Sequence, residues 1–370
     1  MSRKELYDKI LLGVIHITKH YRESDIQMIL DKNNKTLLEK YNNFVKNSPF
    51  GHFQQDIRWA DLKTGWDSVY FYIEDGGEIK AALSVIYIKD QKVGKNFFYG
   101  PRGPVCDPEN IEASKKIIEE AKDFAKSHDG FLLRLDPYLP HDIKMEENFK
   151  KAGLIFRRDK MRSSQPLLNM VLDINGRSEE EILSLFSKNT RKHLRKSYKD
   201  GIVTKILNED GIKILYDHIK ETALRAKIGH RPFNYFERLY DLFKDEIRLS
   251  VAFYDGKPVC ASLLLCYGNR ATSLYGGSSD EYKNMGQNYQ LNFEEIKYAI
   301  ENELRYYDMG GIFETDGTDG LYNFKKKFTE DNVFETVGEI DIVIDPEVYE
   351  VYMENLNPHY KREENELNRS

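Results

Sequence analysis

A chain of 370 residues is too long for one ordinary hydrophobic core, so two domains are the starting expectation. Hydrophobic residues at 40%, charged at 31% and aromatic at 12% describe a globular protein; the net charge of −6 excludes an overall nucleic-acid coat but not a local basic patch. Cys106, Cys260 and Cys266 lack metal-ligand spacing, and the one H-x-x-x-H pair among the nine histidines, His16 and His20, has no cysteine or third histidine near it in the chain, so neither metal nor cofactor is expected, and the compartment should be reducing.

In chain order, the apolar run Ile10 to Ile17 is too short to cross a bilayer and is flanked by charges, which reads as neither membrane span nor secretory signal. A cytoplasmic location follows as an expectation. The stretch S-P-F-G-H-F-Q-Q-D-I-R-W (Ser48 to Trp59) leads into a helix-like D-L-K-T-G-W. A hairpin pattern comes next: Asp75-Gly76-Gly77 turns Val69–Ile73 into Ile79–Ile88. The strand Asn96–Tyr99 then ends in G-P-R-G-P-V, a helix is expected from about Pro108 to Ser127, and F-L-L-R-L-D-P ends on Asp136.

The same order recurs. Asp255-Gly256 turns into Val259–Tyr267, Ala271–Tyr275 ends in G-G-S-S, a helix is expected from about Asn288 to Asn302, and R-Y-Y-D-M-G-G carries Asp308. Each half thus reads strand, strand ending Tyr-Gly, helix, strand ending near an aspartate. This is a duplication of pattern without identity of residues, and it implies two similar α/β domains with mixed sheets.

Between the halves, Arg177 to Gly201 reads as one helix, capped by Ser178 with Glu181 and closed by Gly201. Lys188, Arg191, Lys192, Arg195 and Lys199 share a face with no acidic residue among them. Such a face is either a solvated surface or a phosphate-binding one. Near the end, G-T-D-G-L-Y-N-F-K-K-K-F (Gly317 to Phe328) sets lysines among aromatics ahead of the alternating strand V-G-E-I-D-I-V-I-D-P. Lys325 is there either a surface lysine laid over rings or a fixed cation in a cleft near Glu339. The polar tail after Pro358 is expected to fray.

Taken together, F-Q-Q-D-I-R-W, F-F-Y-G-P-R-G-P-V, F-L-L-R-L-D-P, K-N-T-R-K-H-L-R-K-S-Y-K-D-G-I, L-Y-G-G-S-S, Y-D-M-G-G-I and L-Y-N-F-K-K-K-F with V-G-E-I-D resemble the Fem family of peptidoglycan-bridge aminoacyltransferases. The resemblance runs from about Phe53 to Asp345 and implies two acetyltransferase-like domains. These are expected over residues 1–165 (acceptor side) and 166–345 (tRNA side, with the catalytic lysine), followed by a C-terminal helix and tail over 346–370. The activity implied is transfer of an amino acid from aminoacyl-tRNA to the side-chain amine of the third stem-peptide residue, on UDP-MurNAc-pentapeptide or lipid II. Peripheral contact with the inner membrane face and a monomeric state are further expectations. Carried over by motif, Phe324 and Lys325 form the aromatic–lysine pair, and Glu339 and Asp136 are cleft acids. Arg231 and Tyr235 hold the acceptor's pyrophosphate, with Arg58, Trp59 and Tyr275 as walls of that site. Where the family has a lysine near Trp59, Arg58 is the nearest counterpart found. The long helical arm of the staphylococcal members has no room between Gly201 and Val251, so tRNA must be held by the globular body.

An aminoacyl ester is already activated; the enzyme has to align an amine with it and stabilise the oxyanion formed on attack, a task suited to Lys325. Asp136 or Glu339 could orient the attacking amine, or its proton could pass through the tRNA's ribose hydroxyl. Two other classes stay open: an acyl-CoA-dependent N-acetyltransferase, for which K-N-M-G-Q-N (Lys283 to Asn288) is the glycine-poor candidate loop, and a non-catalytic RNA-binding protein using the basic face alone.

Overall fold

The computed structural model describes residues 28–143, 146–147, 155–159, 163–282 and 285–356. The N-terminal apolar run and the tail after Pro358 lie outside them. Helix α1 (Lys35–Asn47) is followed by a 3-10 turn at Phe53–Gln55 and the short α2 (Ile57–Leu62), whose N-cap Asp56 accepts from Arg58 N. The first half then supplies β1 (Asp67–Asp75), β2 (Glu78–Lys89), β3 (Asn96–Gly100), β4 (Val105–Cys106), α3 (Ile111–Ser127), β5 (Gly130–Leu135) and β6 (Ile155–Arg157). β7 (Leu168–Asp173) closes the first repeat in chain order, and the second half contains α4 (Glu179–Leu185), α5 (Lys188–Lys199), β8 (Val203–Leu207), α6 (Asp210–Ala226), α7 (Phe233–Leu242), β9 (Ile247–Tyr254), β10 (Lys257–Tyr267), β11 (Arg270–Ser278), α8 (Gln287–Glu301), β12 (Tyr306–Ile312), α9 (Gly320–Lys325) and β13 (Val333–Glu335). The last elements are β14 (Glu339–Val343) and α10 (Pro346–Leu356).

The duplication is visible in the sheet order. The first sheet runs β1-β2-β3-β5-β14-β6 and the second β9-β10-β11-β12-β7-β13, with β8 added beside β9. In each, the pairing is antiparallel except at the third step (β3 with β5, β11 with β12), where it is parallel. The halves exchange one strand. β7, which follows the first half, lies in the second sheet; β14, which follows the second half, returns to the first.

That exchange moves a segment from where the sequence pattern groups it. β14 alternates like an ordinary strand of the half it follows, yet its partners are β5 and β6, and α10 packs Tyr349, Tyr352 and Met353 on Phe131 and Leu132 of β5. The reason is ionic as well as apolar: Arg134 on β5 meets Asp341 on β14 through two bonds of 2.6 and 2.8 Å, fully buried.

The expected helix over 177–201 is broken. Ser178 forms the capping box with Glu181 as expected, but Phe186 and Ser187 are extended and Ser187 starts α5 as a second N-cap, accepting from Thr190 N. The two sheets share a core. Trp59, Leu62 and Tyr41 from the first half pack in one cluster with Ile219, Phe236, Leu239 and Phe243 from the second. The chain segment linking β8 to β9 consists of α6 and α7, with no protruding arm.

Candidate active site

β11 and β12 pair only from Arg270 to Thr272 against Tyr306 to Asp308, and beyond that they splay. β12 turns away to β7, pairing Gly311 with Asn169, while β11 stays with β10 as far as Ser278. A cavity of about 470 Å³ opens in the split. Lys325, at the end of α9, lines it, with Phe324 beside it. The lysine's Nζ donates to the Gly311 carbonyl at 2.7 Å. Gly311 must be glycine, because a Cβ there would stand 2.2 Å from Pro166. Burial pushes the Lys325 ammonium down to about 8, against the opposing pull of Asp308 and Asp319.

Asp308 is the one acid lining this cavity among the described residues. Its Oδ2 accepts from Tyr138 of the first half at 2.7 Å and from Arg270 at 3.0 Å, and its Oδ1 from Gly310 N at 2.7 Å. In the duplicated pattern it is the counterpart of Asp136, which is the signal that could have marked it.

The other two acids stand elsewhere. Asp136 accepts from Tyr99 at 2.8 Å and from the backbone N–H of Arg102 at 2.5 Å; it lies behind the cavity wall and holds the loop after β3. Burial raises its carboxyl to about 6, with Arg102 pulling the other way. Glu339 belongs to the first sheet, where it accepts from Arg157 at 2.9 Å and from Ser164 N at 2.5 Å. Neither lines the cavity with Lys325. The placement of Glu339 beside the lysine, expected from sequence nearness, is therefore corrected by strand exchange.

A second constellation adjoins the first through Tyr275, which lines the cavity and shares a 3.1 Å hydroxyl contact with Tyr235. Tyr235 carries the exposed Arg231 guanidinium over its ring at 5.4 Å. The cation near Trp59 is not Arg58. Arg58 is spent on Asp56, at 2.8 Å, and on Glu246 across the halves at 3.1 Å. It is Lys63, one turn further along, whose Nζ lies 4.4 Å from the Trp59 ring. Burial and the nearby charge of Arg231 push the Lys63 ammonium down to about 8. Lys63 and Arg231 are thus close enough for their charges to interact; the motif pointed to Arg58 because that residue adjoins Trp59 in the chain, whereas Lys63 stands a helical turn away.

On α5, Lys188, Lys192, Arg195 and Lys199 are exposed and have no acidic partner among the described residues. Arg191 differs: it turns back to the carbonyls of Leu183 and Ser184, closing the end of α4. The helix reaches the cavity through aromatic contacts. His193 stacks on Tyr289 at 4.9 Å, and Tyr289 meets Phe324 edge-on at 6.0 Å and takes a hydrogen bond from Lys327 at 2.9 Å.

The FemAB family model matches residues 36–257 and 254–354. This chain belongs to the FemAB family. A UDP-N-acetylmuramoylpentapeptide-lysine N(6)-alanyltransferase of Weissella viridescens is 32% identical over 333 residues, covering 87% of this chain and 98% of that enzyme. A lipid II:glycine glycyltransferase of Staphylococcus epidermidis is 25% identical, covering 90% and 97%. Among solved structures, FemX superposes with a TM-score of 0.78 at 22% identity, covering 85% of this chain and 98% of that one. A tandem GNAT protein from the clavulanic acid pathway superposes at 0.51, in keeping with a FemAB fold made of two acetyltransferase-like units. No helix among the described residues is long and apolar enough to cross a membrane.

Proposed function

We propose that this FemAB protein transfers an aminoacyl group from aminoacyl-tRNA to the side-chain amine of the third stem-peptide residue of UDP-MurNAc-pentapeptide or its lipid-linked form. The observation that carries the reading is the placement of Lys325 in the β11–β12 split, joined by Tyr275 to the cations Lys63 and Arg231. Near-full-length similarity to the Weissella alanyltransferase supports the same chemistry.

The pyrophosphate of the acceptor suits Lys63 and Arg231, which supply two cations flanked by Trp59, Tyr235 and Tyr275. The exposed cations of α5 suit the phosphates of the donor, whose 3′ end would reach the cavity past Tyr289. There the ester meets Lys325. As the amine attacks, charge grows on the carbonyl oxygen, and the lysine ammonium stabilises it. Asp308 has its oxygens taken by Tyr138, Arg270 and Gly310 N, and Asp136 lies behind the wall. This supports proton transfer through the donor's own ribose hydroxyl in preference to a protein carboxylate.

Purified protein, mixed charged tRNAs and UDP-MurNAc-pentapeptide bearing lysine, with products read by mass, test the reading. A mass increase of one aminoacyl unit on the lysine side chain is expected; an unmodified acceptor with every charged tRNA and with the lipid-linked acceptor would overturn it.

A further inference from the structure

The first-half side of the cavity carries Arg102 and Gln54, which are 4% and 8% exposed. Arg102 sits in the loop after β3, which Asp136 holds through the Arg102 backbone N–H. The guanidinium itself has no hydrogen-bonded acid. It lies over the Tyr138 ring at 5.0 Å, its Nη2 reaches the Pro166 carbonyl at a long 3.5 Å, and its buried Nε has no acceptor among the described residues. The Oε1 of Gln54 is likewise buried without a donor. The two belong to adjoining segments, since Gln55 donates to the carbonyl of Pro101 at 2.7 Å.

A buried guanidinium with no bonded acid is costly, and stacking on a tyrosine offsets only part of that cost. Its open edge is a planar fork that matches a carboxylate with two parallel bonds. The amide oxygen of Gln54 needs an N–H. One ligand group offers both on a single carbon: an N-acylated α-amino carboxylate. We propose that Arg102 and Gln54 form a subsite for such a carboxylate on the acceptor peptide, seating the peptide so that its side-chain amine enters the Lys325 region of the same cavity. A phosphodiester of the donor's 3′ end is the other anion at hand, but it carries no N–H for Gln54, and the basic helix that attracts phosphate lies on the second half.

The inference rests on the acceptor reading above, and its test separates the two. Three muramoyl pentapeptide acceptors are compared: unmodified, amidated at the α-carboxylate of the residue preceding the acceptor amine, and amidated at the C-terminus. For the unaltered enzyme, one of the amidated forms should show an acceptor KM about 10–100-fold higher. Arg102→Gln should raise the KM of the unmodified acceptor by a similar factor, abolish the difference between acid and amide, and leave the donor KM and the kcat at saturation within a few-fold. Equal KM for all three acceptors with the unaltered enzyme overturns the proposal, whether or not Arg102→Gln folds. So does a rise confined to the donor KM, which would assign Arg102 to phosphate. Should the enzyme transfer nothing to any muramoyl peptide, ligand-observed NMR with N-acetyl-D-alanine and N-acetyl-D-alaninamide still reads the subsite: binding of the acid alone supports it, and binding of neither, or of both alike, overturns it.

Discussion

Lys325 keeps its proton below about pH 8, because burial outweighs the pull of Asp308 and Asp319. Only the ammonium stabilises an oxyanion, so kcat should fall as pH rises through about 8, on top of any rise from deprotonation of the acceptor amine. Lys325→Ala should lower kcat by about 10²–10³ with little change in either KM, since the charge it answers exists only in the transition state. Lys325→Arg stays charged at all working pH, so the descending limb should vanish, while the displaced planar cation restores little rate. Lys326, whose Nζ lies over Tyr322 at 4.4 Å, is the control; Lys327 is not, because it bonds Tyr289. Full kcat in Lys325→Ala at saturating substrates would sink the mechanism. The pyrophosphate reading is probed by Lys63→Ala and Arg231→Ala, each expected to raise the acceptor KM by about 10–100-fold and to leave the donor KM alone. An unchanged acceptor KM in either variant removes that residue from the site. At this scale the sequence shows which residue types stand in a motif, but not where their side chains point. Lys325, Tyr235 and Tyr275 were legible because each is tied to its own local motif. Asp136 and Glu339 were expected as cleft acids, but neither lines the cavity: Asp136 is held by Tyr99 and the Arg102 backbone, Glu339 by Arg157 and Ser164 N, and none of these partners stands in the acid's own motif.

Helix α5 puts four cations without an acidic partner among the described residues on one exposed face, in a chain of net charge −6. If about four phosphates are neutralised there, tRNA affinity should fall on the order of a hundredfold between about 50 and 200 mM salt. Replacing Lys188, Lys192, Arg195 and Lys199 together should flatten that slope, measured by fluorescence anisotropy of labelled tRNA at several salt concentrations. Arg191→Ala should behave differently: its guanidinium is engaged with the carbonyls of Leu183 and Ser184, so the loss should fall on stability more than on the slope. A steep slope surviving the quadruple change would assign the face to solvation. The charged face itself was readable from residue spacing. The break at Phe186–Ser187 was hidden because Ile182, Leu185 and Phe186 continue the apolar period into it; the cue was Ser187, a second N-cap residue with Thr190 three positions on.

For the whole molecule, the repeat of strands and turns was legible because each hairpin and helix is local, whereas the exchange of β7 and β14 depends on pairing between residues far apart in the chain, such as Asp308 with Val171 and Ile340 with Leu135. Periodicity carries no information on that partner. The exchange, with the shared core around Trp59, Leu239 and Phe243, has a consequence for stability. Neither half can lose its sheet without removing a strand from the other, so the chain should unfold as one cooperative unit despite its length. Of its two tryptophans, Trp66 packs edge-on against Phe97 of the first half whereas Trp59 sits in the shared core, so in a Trp59→Phe background tryptophan fluorescence reports the first half, while far-UV circular dichroism reports both. Phe293→Ala provides the test. Phe293 is 2% exposed in a core cluster with no residue of the first sheet, and it packs edge-on against Phe186 at 5.9 Å. The truncation should cost roughly 3–5 kcal/mol. If the halves are coupled, the fluorescence and dichroism midpoints in urea should coincide in the parent and move down together in the variant. Should the fluorescence transition stay in place while the dichroism splits into two steps, the second half unfolds by itself, and the exchanged strands do not couple the sheets.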